Sequence, residues 1–170
     1  MSYVFVVDTN VPIVANGPRK KRLEQDSGAS PACRLAAVQF LEELLRKGKI
    51  VLDNGGEIQA EYHRHLMPSG EPGVGDRFYL AVLNSALRRV ARVEIRKVGA
   101  DYEDFPRGAD LAEFDPSDRK FVAVAAKSGA CIANAVDGDW HDFRHAFADH
   151  GIRLKFVCGL DRATWLQSAL

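Results

Sequence analysis

The fold of this chain is decided by residues 3–11, which read YVFVVDTNV. The first five of these residues are β-branched or aromatic and show no polar alternation, which predicts a strand buried on both faces. Asp8 follows at the carboxyl end of this strand, and open α/β sheets bind their ligands at that end. Capping of the next turn or helix by Asp8 or Asn10 explains this stretch equally well when it is taken alone.

Helical and strand patterns alternate along the rest of the chain. Ser30 as an N-cap, Pro31 in the first turn and Gly48 as a stop predict one helix. Further predicted helices cover residues 55–66, 76–90, 115–129 and 140–151, and further predicted strands cover residues 49–53, 92–98, 130–136 and 152–159. This alternation predicts a single domain over residues 1–170, of the α/β class, with a mainly parallel central sheet.

The composition is that of an ordinary globular protein. Apolar residues make up 46% of the chain, and 23 basic residues balance 23 acidic ones, so any basic surface for a nucleic acid must be local. The cysteines form no CxxC pattern, and we expect no disulfide, with Cys131 and Cys158 as small core residues. There is no signal-peptide pattern and no apolar run of about 20 residues, so we expect a cytoplasmic protein with no membrane segment.

Carboxylates recur where predicted strands end and where predicted helices run. They are Asp8 after the first strand, Asp137 and Asp139 after the strand 130–136, Asp115 and Asp118 at the start of a helix, and Glu57 and Glu61 one turn apart on another helix. Helix capping or a solvated helix face explains each later acid taken singly. Two carboxylates ~4 Å apart, however, repel each other by up to about 4 kcal/mol near a protein surface, and a cation removes that penalty. Oxygen ligands without a His or Cys pattern favour Mg²⁺ or Mn²⁺ over Zn²⁺.

Four short motifs together resemble the PIN-domain nucleases, and among them the VapC-like toxins and their relatives. The motifs are VFVVDTNV (4–11), IQAEYHRHL (58–66), FDPSDRKFVAVAA (114–126) and CIANAVDGDW (131–140). The resemblance implies a three-layer α/β/α sandwich around a central, mainly parallel sheet. It also implies a metal-dependent endoribonuclease, a hydrolase that cleaves RNA phosphodiester bonds with Mg²⁺ or Mn²⁺.

The resemblance also assigns roles to individual residues. The residues that match the catalytic and metal-holding positions of the family are Asp8, Glu61, Asp118 and Asp137, with Asp139 as a frequent additional metal ligand. Glu57 is an alternative to Glu61 at the helical glutamate position of the family, and Asp115 is an alternative to Asp118 at the next acidic position. In each pair the later residue is preferred. An acidic site repels RNA, so basic groups are expected to flank it. The residues expected to bind the substrate are Asn10, the basic loop residues Arg19, Lys20, Lys21 and Arg22, and Arg119; Lys120 also adjoins Asp118. A solvated surface is the alternative for these charges.

The implied biological role is the toxin of a toxin–antitoxin pair or a related defence or RNA-processing nuclease. RNA is then the substrate, and an antitoxin or other protein partner and a homodimer are the expected assemblies. A catalytically inactive PIN-like module that binds RNA or a protein is the alternative. The presence of all four family acids favours the active enzyme.

Overall fold

The structure is a computed structural model that describes residues 3–18, 28–84 and 88–167. Its central sheet contains the strands β1 (Val4–Val7), β2 (Lys49–Asp53), β3 (Val90–Val93), β6 (Cys131–Asn134) and β7 (Leu154–Phe156). The strands lie in the order β3-β2-β1-β6-β7, and every neighbouring pair is parallel. A separate antiparallel hairpin joins β4 (Lys97–Val98) and β5 (Asp101–Tyr102).

Helices flank this sheet and complete a three-layer α/β/α sandwich, which confirms the predicted fold class. The described helices are α1 (Asn10–Asn16), α2 (Pro31–Lys47), α3 (Glu57–His65), α4 (Val74–Asn84), α5 (Arg119–Ser128), α6 (Gly138–Asp142) and α7 (Arg144–Asp149). Single 3-10 turns cover Ala109–Leu111, Pro116–Asp118 and Arg162–Thr164. Helix α5 packs against β1, β2 and β6, which are the three middle strands of the sheet.

Local sequence explains where the main elements begin and end. Phe5, Val6 and Val7 are buried, as expected for a central parallel strand without alternation. The Ser30 hydroxyl accepts a hydrogen bond from the Cys33 amide at 3.1 Å, which caps α2. Gly129, with φ of 74°, ends α5 in the left-handed conformation that glycine adopts without steric cost.

A buried carboxylate also begins α3. The Asp53 side chain ends β2 and accepts hydrogen bonds from the amides of Glu57 at 2.8 Å and Ile58 at 2.9 Å. These amides would otherwise lack partners, because the first turn of a helix has none within the helix. Asp53 therefore sets the position of α3, on which Glu61 lies.

Several element boundaries differ from the sequence prediction. Helix α4 begins at Val74 rather than at Asp76, and Gly75 lets it approach α1, since a Cβ there would lie 1.8 Å from the Pro12 carbonyl oxygen. The predicted strand 92–98 is divided between β3 and β4, and the predicted loop after it contains β5. The predicted helix 140–151 is two helices that meet at Phe143. These differences arise where tertiary contacts override local pattern.

A disulfide between Cys33 and Cys158 corrects the expectation that the cysteines are unpaired. The two Cα atoms are 4.8 Å apart, and 125 residues of chain separate them. The bond joins α2 to the segment after β7, which meet only in the folded chain, so the cysteine spacing carries no signal of it. None of the helices in the described residues combines the length and apolar character needed to cross a lipid bilayer.

Candidate metal centre

The strand order creates a crevice at the carboxyl ends of β1 and β6. Strand β1 lies between β2, which follows it along the chain, and β6, which comes much later. The order therefore reverses between β1 and β6, and ligands of open α/β sheets bind in the crevice outside such a switch point. Asp8 follows β1 directly, and Asp137 follows β6 after a two-residue link.

Three aspartates meet in this crevice. One carboxylate oxygen from each of Asp8, Asp118 and Asp137 lies within 4.8 Å of the others. Asp118 is the last residue of the 3-10 turn that precedes α5, so the third carboxylate comes from the helix that packs across the sheet centre. Asp8 is buried and the other two are half-buried, so the cluster is open on one side.

Two hydrogen bonds hold the Asp8 carboxylate. Its Oδ1 atom accepts from the Asn10 amide at 2.9 Å, and its Oδ2 atom accepts from the Trp140 indole at 2.7 Å. The two interpretations of the opening stretch are thus compatible, because Asp8 binds the first turn of α1 and also faces the cluster. Burial raises the pKa of Asp8 to about 7, these two hydrogen bonds oppose the rise, and the charges of Asp137 and Glu61 add to it.

An asparagine network holds the loop that carries Asp137. The Asn10 Oδ1 atom accepts from the amides of Ala135 at 2.8 Å and Val136 at 3.1 Å, and its Nδ2 atom donates to Asn134 Oδ1 at 2.8 Å. The Asn134 Nδ2 atom in turn donates to the Asp137 carbonyl at 3.0 Å. The start of α1 and the end of β6 are therefore tied together, and the side chain of Asn10 is used inside the protein.

The remaining two aspartates also hold their protons more tightly than usual. Burial raises the pKa of Asp118 to about 9, and the charges of Asp8, Asp137 and Asp115 add to the effect. Burial also raises the pKa of Asp137, which a hydrogen bond from the Asp139 amide at 2.9 Å partly offsets. Within the described residues, no lysine or arginine forms an ion pair with any of the three. Among the described residues the cluster has no compensating cation of its own, and its hard oxygen donors fit Mg²⁺ or Mn²⁺.

Glu61 lies beside this cluster and is held by other groups. Its Oε1 atom accepts from the Thr9 hydroxyl at 2.6 Å, and its Oε2 atom forms an ion pair with the Lys120 ammonium. Its charge still raises the pKa values of Asp8 and Asp118, so it remains within electrostatic reach. Lys120 is only 7% exposed and also donates to the Ser117 carbonyl.

The competing acids have different surroundings. Glu57 accepts from the Tyr102 hydroxyl at 3.0 Å and pairs with Lys97 at 2.8 Å. Asp115 caps the 3-10 turn through the Ser117 amide at 2.9 Å, as its capping interpretation predicts. Glu57, Asp115 and Asp139 all lie outside the group of three carboxylates found in the described residues.

The predicted substrate-binding cations have mixed outcomes. Arg19, Lys20, Lys21 and Arg22 lie outside the described residues. The Arg119 guanidinium pairs with Asp101 at 2.7 Å, donates to the carbonyls of Ala112 and Phe114, and lies 4.7 Å from the Phe105 ring centroid. Its donors therefore serve the local structure, and contact with a substrate remains a prediction.

A basic pocket that the sequence did not reveal lies near the cluster. It has a volume of about 420 Å³, and its lining includes Glu57, Arg64, Lys97, Tyr102, Ser117 and Lys120. Ser117 directly precedes Asp118, and Lys120 contacts Glu61, so neighbours of the site residues line the pocket, although none of the three aspartates does. Arg64 and Lys97 are exposed, and Tyr102 offers a half-buried aromatic ring. Lys97 and Lys120 already pair with Glu57 and Glu61, so Arg64 contributes most of the positive charge of the pocket.

Two further residues of the centre were not identified from the sequence. Trp140 is fully buried in the core, and its indole also donates a hydrogen bond to Asp8. A buried indole N–H needs an acceptor, so a tryptophan three residues after Asp137 was a usable signal. Asn134 was a signal as well, because it is a polar residue inside the apolar strand β6.

Comparisons with protein-family models, with curated proteins and with solved structures find no match to this chain. The functional conclusion therefore depends on the chain's own residues and their geometry. Those residues form a compact carboxylate centre beside a basic pocket, at the place where a parallel α/β sheet binds its ligands.

Proposed function

We propose that this protein is a metal-dependent endoribonuclease of the PIN-domain type, which hydrolyses phosphodiester bonds in RNA. The observation that carries the proposal is the group formed by Asp8, Asp118 and Asp137, whose carboxylate oxygens lie within 4.8 Å of one another. Three of the four motifs that resemble the family contribute one of these residues each. The fourth contributes Glu61, which lies beside the group.

The donor set supports Mg²⁺ or Mn²⁺ as the cofactor. Asp8, Asp118 and Asp137 would hold the ion, because all three offer oxygen donors from a partly open crevice. A divalent cation bound there supplies a Lewis acid for the phosphate and lowers the pKa of water. Asp139 remains a candidate for a further contact, since its amide already binds Asp137.

The chain's own groups prepare the site for this chemistry. Trp140 and the Asn10 amide fix both oxygens of Asp8, which limits the movement of a ligand that must be positioned well. The half-buried faces of Asp118 and Asp137 leave a side open to a phosphate group. Burial keeps water away from Asp8, and electrostatic interactions are stronger in such surroundings.

The basic pocket supports a nucleic-acid substrate. Arg64 and Lys97 can contact phosphates, and Tyr102 can contact a base through its ring. An acidic centre repels RNA, so cations at its edge are needed to hold the strand. RNA rather than DNA follows from the family resemblance, and so do the toxin, defence or RNA-processing role and the antitoxin or homodimer partner.

Cleavage of end-labelled single-stranded RNA and DNA tests the proposal. We expect the wild type to cut RNA with Mg²⁺ or Mn²⁺ and to stop when EDTA is added. We expect Asp118→Asn to abolish cleavage and to keep the fold, since the change removes one ligand and one source of repulsion. Asp115→Asn is the matched control, because Asp115 caps the same turn but lies outside the carboxylate group.

Two results would reject the enzyme. One is cleavage that EDTA does not affect, and the other is full cleavage by Asp118→Asn. A folded wild type that neither cuts RNA nor binds metal would instead favour the inactive binding module. Cleavage of DNA alone would support the metal centre and would make DNA, rather than RNA, the substrate.

A further inference from the structure

Lys120 is a buried cation beside the carboxylate centre. Its side chain is only 9% exposed, and its ammonium contacts the Glu61 carboxylate and the Ser117 carbonyl. Lysine is almost never this buried without a partner, because removing its charge from water is costly. The Glu61 charge is therefore the reason that Lys120 can occupy this place.

Each oxygen of Glu61 has its own partner. Thr9 donates to Oε1 at 2.6 Å, and Lys120 contacts Oε2. Thr9 is itself buried and directly follows Asp8, whereas Lys120 is two residues beyond Asp118. Glu61 is thus fastened to the two chain segments that carry metal-holding aspartates. Its Oε2 atom faces a charged partner, whereas both oxygens of Asp8 accept only from neutral donors.

The charges indicate how many divalent ions the centre can hold. Four carboxylates would balance two divalent ions, and two-metal sites hold their ions about 3.5–4 Å apart. Here the ammonium of Lys120 neutralises Glu61, so only the three aspartates remain as charged ligands, and their three negative charges fall short of the four positive charges of two divalent ions. A second divalent ion next to Glu61 would also face the like charge of Lys120.

We propose that Lys120 takes the place of a second metal ion, so that the centre holds a single divalent cation and Glu61 stays with Thr9 and Lys120. The inference rests on the proposed function, since it concerns the same metal centre. Lys120 is a positioning residue, because it acts through Glu61 and not on the substrate.

The test counts bound Mn²⁺ by equilibrium dialysis and detects pairs of ions by electron paramagnetic resonance. We expect the wild type to bind one Mn²⁺ per chain, without spin coupling between ions. Lys120→Met removes the ammonium and keeps the apolar stem, so Glu61 is released and the count rises to two, with spin coupling. Lys120→Arg keeps the positive charge, so this variant should still bind one Mn²⁺ per chain.

Two further variants isolate the role of Glu61. The double variant Lys120→Met with Glu61→Gln should return to one Mn²⁺, because the fourth carboxylate is gone. Lys97→Met is the matched control. Glu57 and Glu61 both lie on α3, and Lys97 pairs with Glu57 as Lys120 pairs with Glu61. The count of Lys97→Met should stay at one.

The outcomes separate this inference from the proposed function. Two coupled Mn²⁺ ions in the wild type would overturn the inference and leave the nuclease intact. A folded wild type that binds no Mn²⁺ would reject the metal centre, and with it the proposed function. A folded Lys120→Met protein that still binds one ion would overturn the role of Lys120. If Lys120→Met does not fold, the single variant Glu61→Gln decides. The inference requires Glu61→Gln to keep one bound Mn²⁺. Loss of that ion would make Glu61 a metal ligand and overturn the inference.

Discussion

Asp8 carries a carboxyl group that is 4% exposed and accepts hydrogen bonds from the Asn10 amide and the Trp140 indole. Hydrogen bonds to the charged form lower a pKa, yet the pKa of Asp8 is raised to about 7. Burial therefore outweighs both donors at this residue. At Asp118, burial and the charges of four neighbouring carboxylates all act in the same direction and raise the pKa to about 9.

These raised pKa values predict that the metal-free protein loses stability as the pH rises. Below about pH 4 both carboxyl groups are protonated in the folded and the unfolded chain, so their ionisation takes nothing from the free energy of unfolding. Above that, the unfolded chain releases protons that the folded chain still holds, and about 1.4 kcal/mol is lost per pH unit for each such group. The loss continues to about pH 7 for Asp8 and to about pH 9 for Asp118. We expect the Tm in EDTA to fall between about pH 5 and about pH 8.

The control for this prediction is Asp118→Asn, whose Tm should fall less over the same range because one of the two groups no longer titrates. Mn²⁺ should raise the Tm of the wild type more at the higher pH, since the ion competes with protons for the same oxygens. A wild-type Tm in EDTA that is constant or rises over this range would contradict the prediction.

At the scale of elements, α1 and the end of β6 act as one unit through Asn10. Its side chain joins the first turn of α1 to the amides of Ala135 and Val136 and to the side chain of Asn134. This contact spans 124 residues of chain, and it holds the loop that leads to Asp137. Local pattern predicted each element, but only the folded chain joins them.

Asn10→Ala should therefore weaken both stability and metal binding. The substitution leaves the buried Ala135 amide without its acceptor, which costs about 1–3 kcal/mol of unfolding free energy. It also releases Asp137, so we expect the Kd for Mn²⁺ to rise at least about tenfold, the scale seen when groups that orient metal ligands are lost. Urea unfolding and Mn²⁺ titration measure the two effects.

Asn16→Ala is the matched control at the other end of the same helix. Asn16 exchanges two hydrogen bonds with Asp76, at 3.1 Å and 3.0 Å, far along α1 from Asp8. We expect it to lower the stability and to leave the Kd for Mn²⁺ unchanged. Equal loss of metal affinity in both variants would show that Asn10 acts only through general stability.

At the scale of the whole molecule, the Cys33–Cys158 disulfide closes most of the chain into one loop. The bond spans 125 residues, and a cross-link over so long a loop restricts the unfolded chain strongly. Cys33→Ser should lower the unfolding free energy of the oxidised protein by about 2–4 kcal/mol. Cys131→Ser is the control, because Cys131 is free and half-buried.

A thiol count gives an independent check on the disulfide. After exposure to oxidised glutathione, the denatured wild type should show one free thiol per chain, that of Cys131. Three free thiols after this treatment, together with a Cys33→Ser protein as stable as the wild type, would contradict the bond.

Much of the fold could be predicted because its signals are local. The apolar run before Asp8, the Ser30 and Pro31 start and the Gly129 stop all act within a few residues of chain. The four motifs also identified the three aspartates that meet in the crevice, although each was compatible with simple capping when taken singly. The boundaries of α4 and β3 were less predictable, because packing against other elements decides them.

The sequence by itself determined the α/β class, the strand and helix types and the candidate acids, because burial pattern and capping are short-range properties. Only the tertiary structure decided what each acid does. Asp8 and Asp53 both lie at the ends of buried strands, and both accept hydrogen bonds from the first turn of the next helix. However, β1 lies beside β6 at the switch point, and β2 does not. Strand order and the pairing of Lys120 with Glu61 depend on which surfaces bury each other across the chain, and no local pattern contains that choice.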